Sequence, residues 1–249
     1  CARRRDRHGG SSLINRSIIP NLFTVGNLFC GLLAMHYIVA DRYVPAAWLI
    51  VLAGALDTAD GRIARDMGRD SKFGIEFDSL ADVCTFGVVP AFMLYHSLMP
   101  SGWGTAVAFV FLLCGALRLA RYNVMSLESG KSEYFTGLPI PAAAVSLSQY
   151  IVFAHHSWST AHAAHIGVAL TLCLASLMVS RVVYDAMPSF RSGGFWDRVK
   201  QISFAGGLVL VALPATSKDF FFPLVLVYLA TGLYRWVAGM FSDEVTQHA

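Results

Sequence analysis

"LDTADGRIARDMGRDSKFGIEFDSLAD" (residues 56–82) sets Asp57, Asp60, Asp66, Asp70, Glu76, Asp78 and Asp82 between two apolar runs, Pro45 to Leu56 and Val83 to Met99. An ionised carboxylate in hydrocarbon costs several kcal/mol or more, so acids at this place need a reason. Asp57, Asp60, Gly61, Ala64 and Arg65 follow the spacing i, i+3, i+4, i+7, i+8, which is one stripe of an α-helix. After the loop "DMGRDSKF" a second helix is expected near Gly74, with Asp78 and Asp82 at i, i+4 on one face. The loop is short, so the two helices are expected to be antiparallel neighbours. Their four carboxylates then converge on a shallow site near one end of both.

The rest of the chain supplies the setting. Of its 249 residues, 55% are hydrophobic and 14% charged, against roughly a quarter charged in an average soluble domain. The predicted fold class is all-α, a polytopic membrane helix bundle. Eight apolar runs are long enough to cross a bilayer: 18–40, 44–66, 74–98, 102–124, 138–158, 163–183, 201–217 and 218–241. They divide the chain into a basic segment (1–17), a six-span core (18–186), a polar connection (187–200) and two additional spans with a short tail (201–249). Ser11 to Ser17 has the length of a short interfacial helix. The run from Ile18 to Ala40 is too long for a signal-peptide core and is read as a retained first span.

With the N-terminus in the cytoplasm, all but Arg42 and Lys218 of the 19 basic residues fall on the cytoplasmic side. Both termini and the acidic site then face the cytoplasm, in a bacterial inner membrane by expectation. A net charge of +3 gives no argument for nucleic acid. The cysteines form no C-x-x-C pair and read as small buried hydrophobes. His155, His156, His162 and His165 fall at a predicted external hairpin and read as polar loop residues.

Two plain explanations of the acids compete with a functional one. Asp57 and Asp60 pairing with Arg62 and Arg65 leaves Asp78 and Asp82 unexplained. A cation path predicts acids spread through the membrane depth, and the other spans hold almost none. Four carboxylates at one depth suit hard divalent cations, and an oxygen-only set disfavours zinc or copper. Two such ions suit phosphoryl-type chemistry. Gly61 and Ala64 leave room beside the first helix, and Gly74 permits close helix approach.

These residues resemble the CDP-alcohol phosphatidyltransferase family. Its pattern, D-x-x-D-G-x-x-A-R, seven or eight residues, then G-x-x-x-D-x-x-x-D, is filled at every fixed position by Asp57, Asp60, Gly61, Ala64, Arg65, Gly74, Asp78 and Asp82. "EFDSLADVCTFGVVPA" (76–91), "ALRLARYNV" (116–124), "FTGLPIPAAA" (135–144) and "LMVSRVVYDAMPSF" (177–190) look like the phosphatidylserine synthase branch. The likeness spans roughly residues 15–190; "YDAMPSF" is longer than the branch's usual run, and the last two spans lie outside it.

The resemblance implies a six-helix core, usually a homodimer, with two divalent ions, Mg2+ or Mn2+. It implies Asp57, Asp60 and Asp78 as metal ligands, with Asp82 assisting and serving as general base. It implies a CDP-lipid pocket of Asp57, Gly61, Ala64, Arg65 and Gly74. CDP-diacylglycerol and L-serine are the implied substrates, with membrane lipids around the site. Arg118 and Arg121, at i, i+3 in "RLARYN", and Lys131 are candidates for gripping the serine carboxylate or a phosphate. Sister enzymes with glycerol phosphate or inositol phosphate as acceptor are the nearest alternative; a cation transporter is a different class.

Overall fold

A computed structural model describes residues 11–67, 72–129, 135–157, 160–180 and 183–184. The helices are α1 (Ser11–Val39), α2 (Tyr43–Met67), α3 (Lys72–Asp82), α4 (Val89–Leu98), α5 (Gly102–Ser129), α6 (Ile140–Ser157) and α7 (Thr160–Val179). A π-helical turn, Val83–Val88, joins α3 to α4 in one rod. Two short strands, β1 (Phe135–Thr136) and β2 (Val183–Tyr184), pair antiparallel with Phe135 opposite Tyr184. Apart from that pair, the described residues form an all-α polytopic bundle. Lys131, the connection 187–200 and the two spans expected after it lie outside the described residues.

Among the described residues, five stretches are long and apolar enough to cross a membrane: Leu22–Val39, Tyr43–Gly61, Phe73–Leu98, Gly102–Met125 and His162–Val179. The helix α6 adds a shorter apolar segment, Ile140–His155. It is the buried axis of the bundle, with Ala143, Ala144, Leu147, Tyr150, Ile151 and Ala154 fully enclosed. A buried helix must satisfy its own polar groups. Ser146 and Ser148 therefore donate to the carbonyls four residues back, Ala142 and Ala144, and the Tyr150 hydroxyl donates to the Ala163 carbonyl. The outward faces carry Leu22, Phe29, Leu32, Phe109, Leu117 and Leu172, all exposed, which suits lipid contact.

Local chemistry ends the helices. Asp41 closes α1 with φ of 57°. Its N–H bonds to the Ile38 carbonyl at 3.0 Å and the Arg42 N–H to the Tyr37 carbonyl at 2.9 Å, the two bonds of a Schellman motif. Aspartate tolerates this left-handed conformation better than most residues. In the third rod the Val89 N–H reaches back five residues to the Cys84 carbonyl. Pro90 follows, and a proline ring clashes with the carbonyl four residues before it in a regular α-helix. The wide turn relieves that crowding.

Three expectations shift. Residues 11–17 are the first turns of α1 rather than a separate interfacial helix. The sixth span begins at Thr160 and ends at Val179, where the Ser180 N–H closes on the Ser176 carbonyl. Among the cysteines, Cys30 is buried, but Cys84 and Cys173 sit on exposed outer faces. Periodicity within an all-apolar helix does not say which face meets lipid and which meets protein.

Candidate active site

Asp57 is carried by α2, and Asp78 and Asp82 by α3, one turn apart. Each offers a carboxylate oxygen, and the three oxygens lie within 4.8 Å of one another. Among the described residues no other group of three histidine, cysteine or acidic side chains gathers this closely. Asp60 stands beside the trio and is near enough to act electrostatically on Asp57 and Asp78. Asp60 and Asp82 are both buried. The expected convergence of α2 and α3 is therefore present, with three carboxylates in one cluster and the fourth held at its edge.

The first helix does the holding, through two residues that motif reasoning passed over. Thr24 donates to Asp60 Oδ2 at 2.5 Å. Asn27 Nδ2 donates to Asp82 Oδ1 at 3.2 Å. One helix thus ties an acid from α2 and an acid from α3. Thr24 and Asn27 stand at i, i+3 in a mostly apolar span, and that spacing was the available signal. The π turn is tied to the same helix: the Thr85 hydroxyl donates to the Asn27 carbonyl at 3.3 Å. Gly31 makes the approach possible, because a β-carbon there would meet Thr85 Oγ1 at 2.7 Å.

The basic candidates separate. Arg118, on α5, is buried at 7% exposure and lies near enough to Asp82 and Asp57 to act on both. Even so, no ion pair within 4.0 Å joins it to an acid among the described residues. Arg121 instead donates to the carbonyls of Val179 at 3.1 Å and Ser180 at 3.3 Å, which suits a cation at a helix C-terminus. Asn123 on the same helix donates to Ser79 Oγ at 2.9 Å, fastening α5 to the acid-bearing α3.

Gly61 is exposed, and a β-carbon there would meet nothing within 4 Å, so space is open beside the acid-bearing turn of α2. Gly74 is half-buried in the first turn of α3. Ala64 and Arg65 continue α2, with side chains outside the described set.

This donor set fits a hard divalent cation. All the clustered ligands are carboxylate oxygens, the ligand type that magnesium, calcium and manganese prefer. Asp78 Oδ1 is buried without a hydrogen-bond partner, although buried polar atoms are normally satisfied. Among the side chains that are described, none forms an ion pair with these carboxylates.

The sequence profile of the CDP-alcohol phosphatidyltransferase family matches residues 17–180. A CDP-diacylglycerol–serine O-phosphatidyltransferase of Helicobacter pylori is 36% identical over 227 residues, covering 88% of this chain and 91% of that protein. A protein of the same name from Methanocaldococcus jannaschii is 32% identical over 223 residues, covering 89% and 95%. An archaetidylserine synthase of Methanothermobacter thermautotrophicus is 36% identical over 169 residues, covering 67% and 69%.

Proposed function

Because the chain belongs to the CDP-alcohol phosphatidyltransferase family, we propose that it transfers the phosphatidyl group of CDP-diacylglycerol to the hydroxyl of L-serine, releasing phosphatidylserine and CMP. The observation that carries this reading is the gathering of Asp57, Asp78 and Asp82 within 4.8 Å beside a buried arginine that contacts none of them. The relatives that cover most of the chain are named for serine as acceptor, which supports serine over glycerol phosphate or inositol phosphate.

Asp57, Asp60 and Asp78 would hold the divalent cations, Mg2+ or Mn2+, with Asp82 assisting. When bound, such ions neutralise a diphosphate and stabilise the charge of the leaving group. Asp82 takes the proton of the serine hydroxyl as that oxygen bonds to the phosphorus carrying diacylglycerol. The bond from that phosphorus to the bridging oxygen breaks, and its electron pair leaves with CMP. Asn27 keeps the Asp82 carboxylate aimed during this step, as Thr24 does for Asp60. Arg118 binds the serine carboxylate or the lipid phosphate through charge-assisted hydrogen bonds; Arg121, engaged with the end of α7, and Lys131 are secondary candidates. The open side of Gly61, with Ala64, Arg65 and Gly74, accommodates the cytidine diphosphate. The lipid tails stay in the bilayer while the headgroup reaches the site.

The reading includes an integral membrane protein with its site and both termini facing the cytoplasm, acting as a homodimer. Residues 18–186 form the six-span catalytic core, with 201–249 appended.

The test is CMP release by purified protein from CDP-diacylglycerol, with and without serine and with and without Mn2+ or Mg2+. The expected result is CMP and phosphatidylserine in equal amounts, only with both additions. Release with glycerol phosphate or inositol phosphate in place of serine would assign a sister activity. Ion flux in sealed vesicles without CMP release would make the protein a transporter.

A further inference from the structure

Four buried side-chain atoms among the described residues have no hydrogen-bond partner: Asn27 Oδ1, Asp78 Oδ1, Arg118 Nε and Gln149 Nε2. Three of them belong to residues at the carboxylate site. Buried polar atoms left unpaired are rare and destabilising, so a concentration of them points to something absent from the polypeptide.

The orientation of the Asn27 amide follows from chemistry. An ionised carboxylate only accepts hydrogen bonds, so the amide nitrogen must face Asp82. That is the observed bond, 3.2 Å from Nδ2 to Oδ1. The amide oxygen is then left over. The residue is fully buried, and its backbone carbonyl accepts from Thr85 on the π turn. The amide cannot turn to find another donor without giving up Asp82.

A complementary group lies near Asp82. Arg118 is buried, acts electrostatically on Asp82, and has an unpaired Nε. The helices α1 and α5 each pack against the π turn that follows Asp82. A neutral acceptor from one and a cationic donor from the other therefore flank the proposed base. A small zwitterion whose hydroxyl meets Asp82 matches this set, with an ammonium for the acceptor and a carboxylate for the cation.

We propose that Asn27 Oδ1 accepts a hydrogen bond from the ammonium of the acceptor alcohol, so that Asn27 is a specificity-determining residue for amino-bearing acceptors. The inference rests on the serine reading above. Asn27 then has two tasks: its nitrogen aims Asp82, and its oxygen recognises substrate. A phosphate-bearing acceptor offers that oxygen only neutral hydroxyls in place of a charged ammonium, the weaker kind of donor.

The experiment separates the two tasks by comparing L-serine with 3-hydroxypropanoate, which keeps the hydroxyl and carboxylate and lacks the ammonium. With full-length protein, Mn2+ and CDP-diacylglycerol, CMP release gives kcat/KM for each acceptor. The wild-type protein should prefer serine by roughly 10- to 100-fold, the worth of one hydrogen bond to a charged group. In Asn27→Leu that ratio should collapse toward one, with the KM for CDP-diacylglycerol little changed. Loss of aim alone would lower both acceptors equally and leave the ratio intact, which would overturn the proposal. A role as metal ligand would raise the Mn2+ requirement while leaving the ratio intact, and that result would overturn it too. Should Asn27→Leu fail to fold, Asn27→Ser carries the same comparison. Equal competition by serine and 3-hydroxypropanoate in the wild-type protein would overturn the proposal without any variant. Absence of serine-dependent CMP release from the wild type would overturn the serine reading itself, a distinguishable result.

Discussion

The two ends of the α1–α2 hairpin each collect polar side chains, and the collections behave oppositely. At the turn between the helices, the Tyr43 hydroxyl donates to Asp41 Oδ1 at 2.8 Å and lies 3.2 Å from His96 Nδ1. His96 Nδ1 is 3.7 Å from Asp41, whose side chain is 75% exposed. The His155 ring packs on Tyr43 with centroids 5.1 Å apart. The acid there has a donor, and water reaches it. At the far end, carboxylates meet one another, and the buried Arg118 beside them makes no ion pair with the described acids. Exposed pairs of the first kind contribute about 0–1 kcal/mol. Crowded acids of the second kind need compensation, from bound cations or from protons. Polarity within a membrane helix is thus a poor guide to function until its partners are counted.

The contrast can be broken most severely by removing divalent metal. Chelation should bring CMP release to background and Mn2+ or Mg2+ should restore it, whereas zinc should not. Activity that survives exhaustive chelation would dissolve the distinction between the ends. Next in size, Asp82→Asn should lower kcat by about 10²- to 10⁴-fold, the usual contribution of a general base. Binding of CDP-diacylglycerol, followed by calorimetry, should persist; near-normal turnover would remove Asp82 from the chemistry.

A backbone change at the carboxylate end tests stability apart from catalysis. Gly137 has φ of 86°, and a β-carbon there would collide with the Met178 carbonyl oxygen. Gly137→Ala should therefore cost about 1–3 kcal/mol, seen as a lower melting temperature in detergent. An unchanged melting temperature would mean the strand-like connection before α6 yields freely. The smallest effect belongs to the outer end. Tyr43→Phe should cost about 1 kcal/mol or less and leave kcat/KM for serine unchanged. A large loss of activity in that variant would show that the two ends are coupled.

Much of this was legible in the residues. The i, i+3 and i, i+4 placement of the aspartates predicts both their shared faces and their convergence, because a short loop leaves α2 and α3 little choice but to lie side by side. The apolar runs predict the spans, since bilayer thickness sets their length. Thr24 and Asn27 were harder to see. Polar side chains in membrane helices often bond across to a neighbouring helix, and the value of these two lies in which acids they meet, a tertiary fact. Arg118 and Arg121 look equivalent in sequence. Three positions leave the two about 60° apart on nearly one face of α5, so their partners alone separate them: Arg118 lies by the acids, while Arg121 bonds to the carbonyls at the end of α7. The π turn left no compositional mark beyond Pro90, whose effect depends on the helix it interrupts.

The same turn bears on how such a chain can change over generations. An extra residue housed in a widened coil works like a slipped thread in a screw. Everything before Val83 is offset in angle from everything after Val88, by about 100° for each residue gained or lost. Losing one residue there would leave an unbroken rod whose acids had swung away from Asn27. The half beyond Pro90 meets the bundle through Ala91, Met93, Leu94 and Leu98, all buried, so the turn lets the acids and this core face each keep their own register. One local irregularity lets a single rod answer to two separate selective pressures.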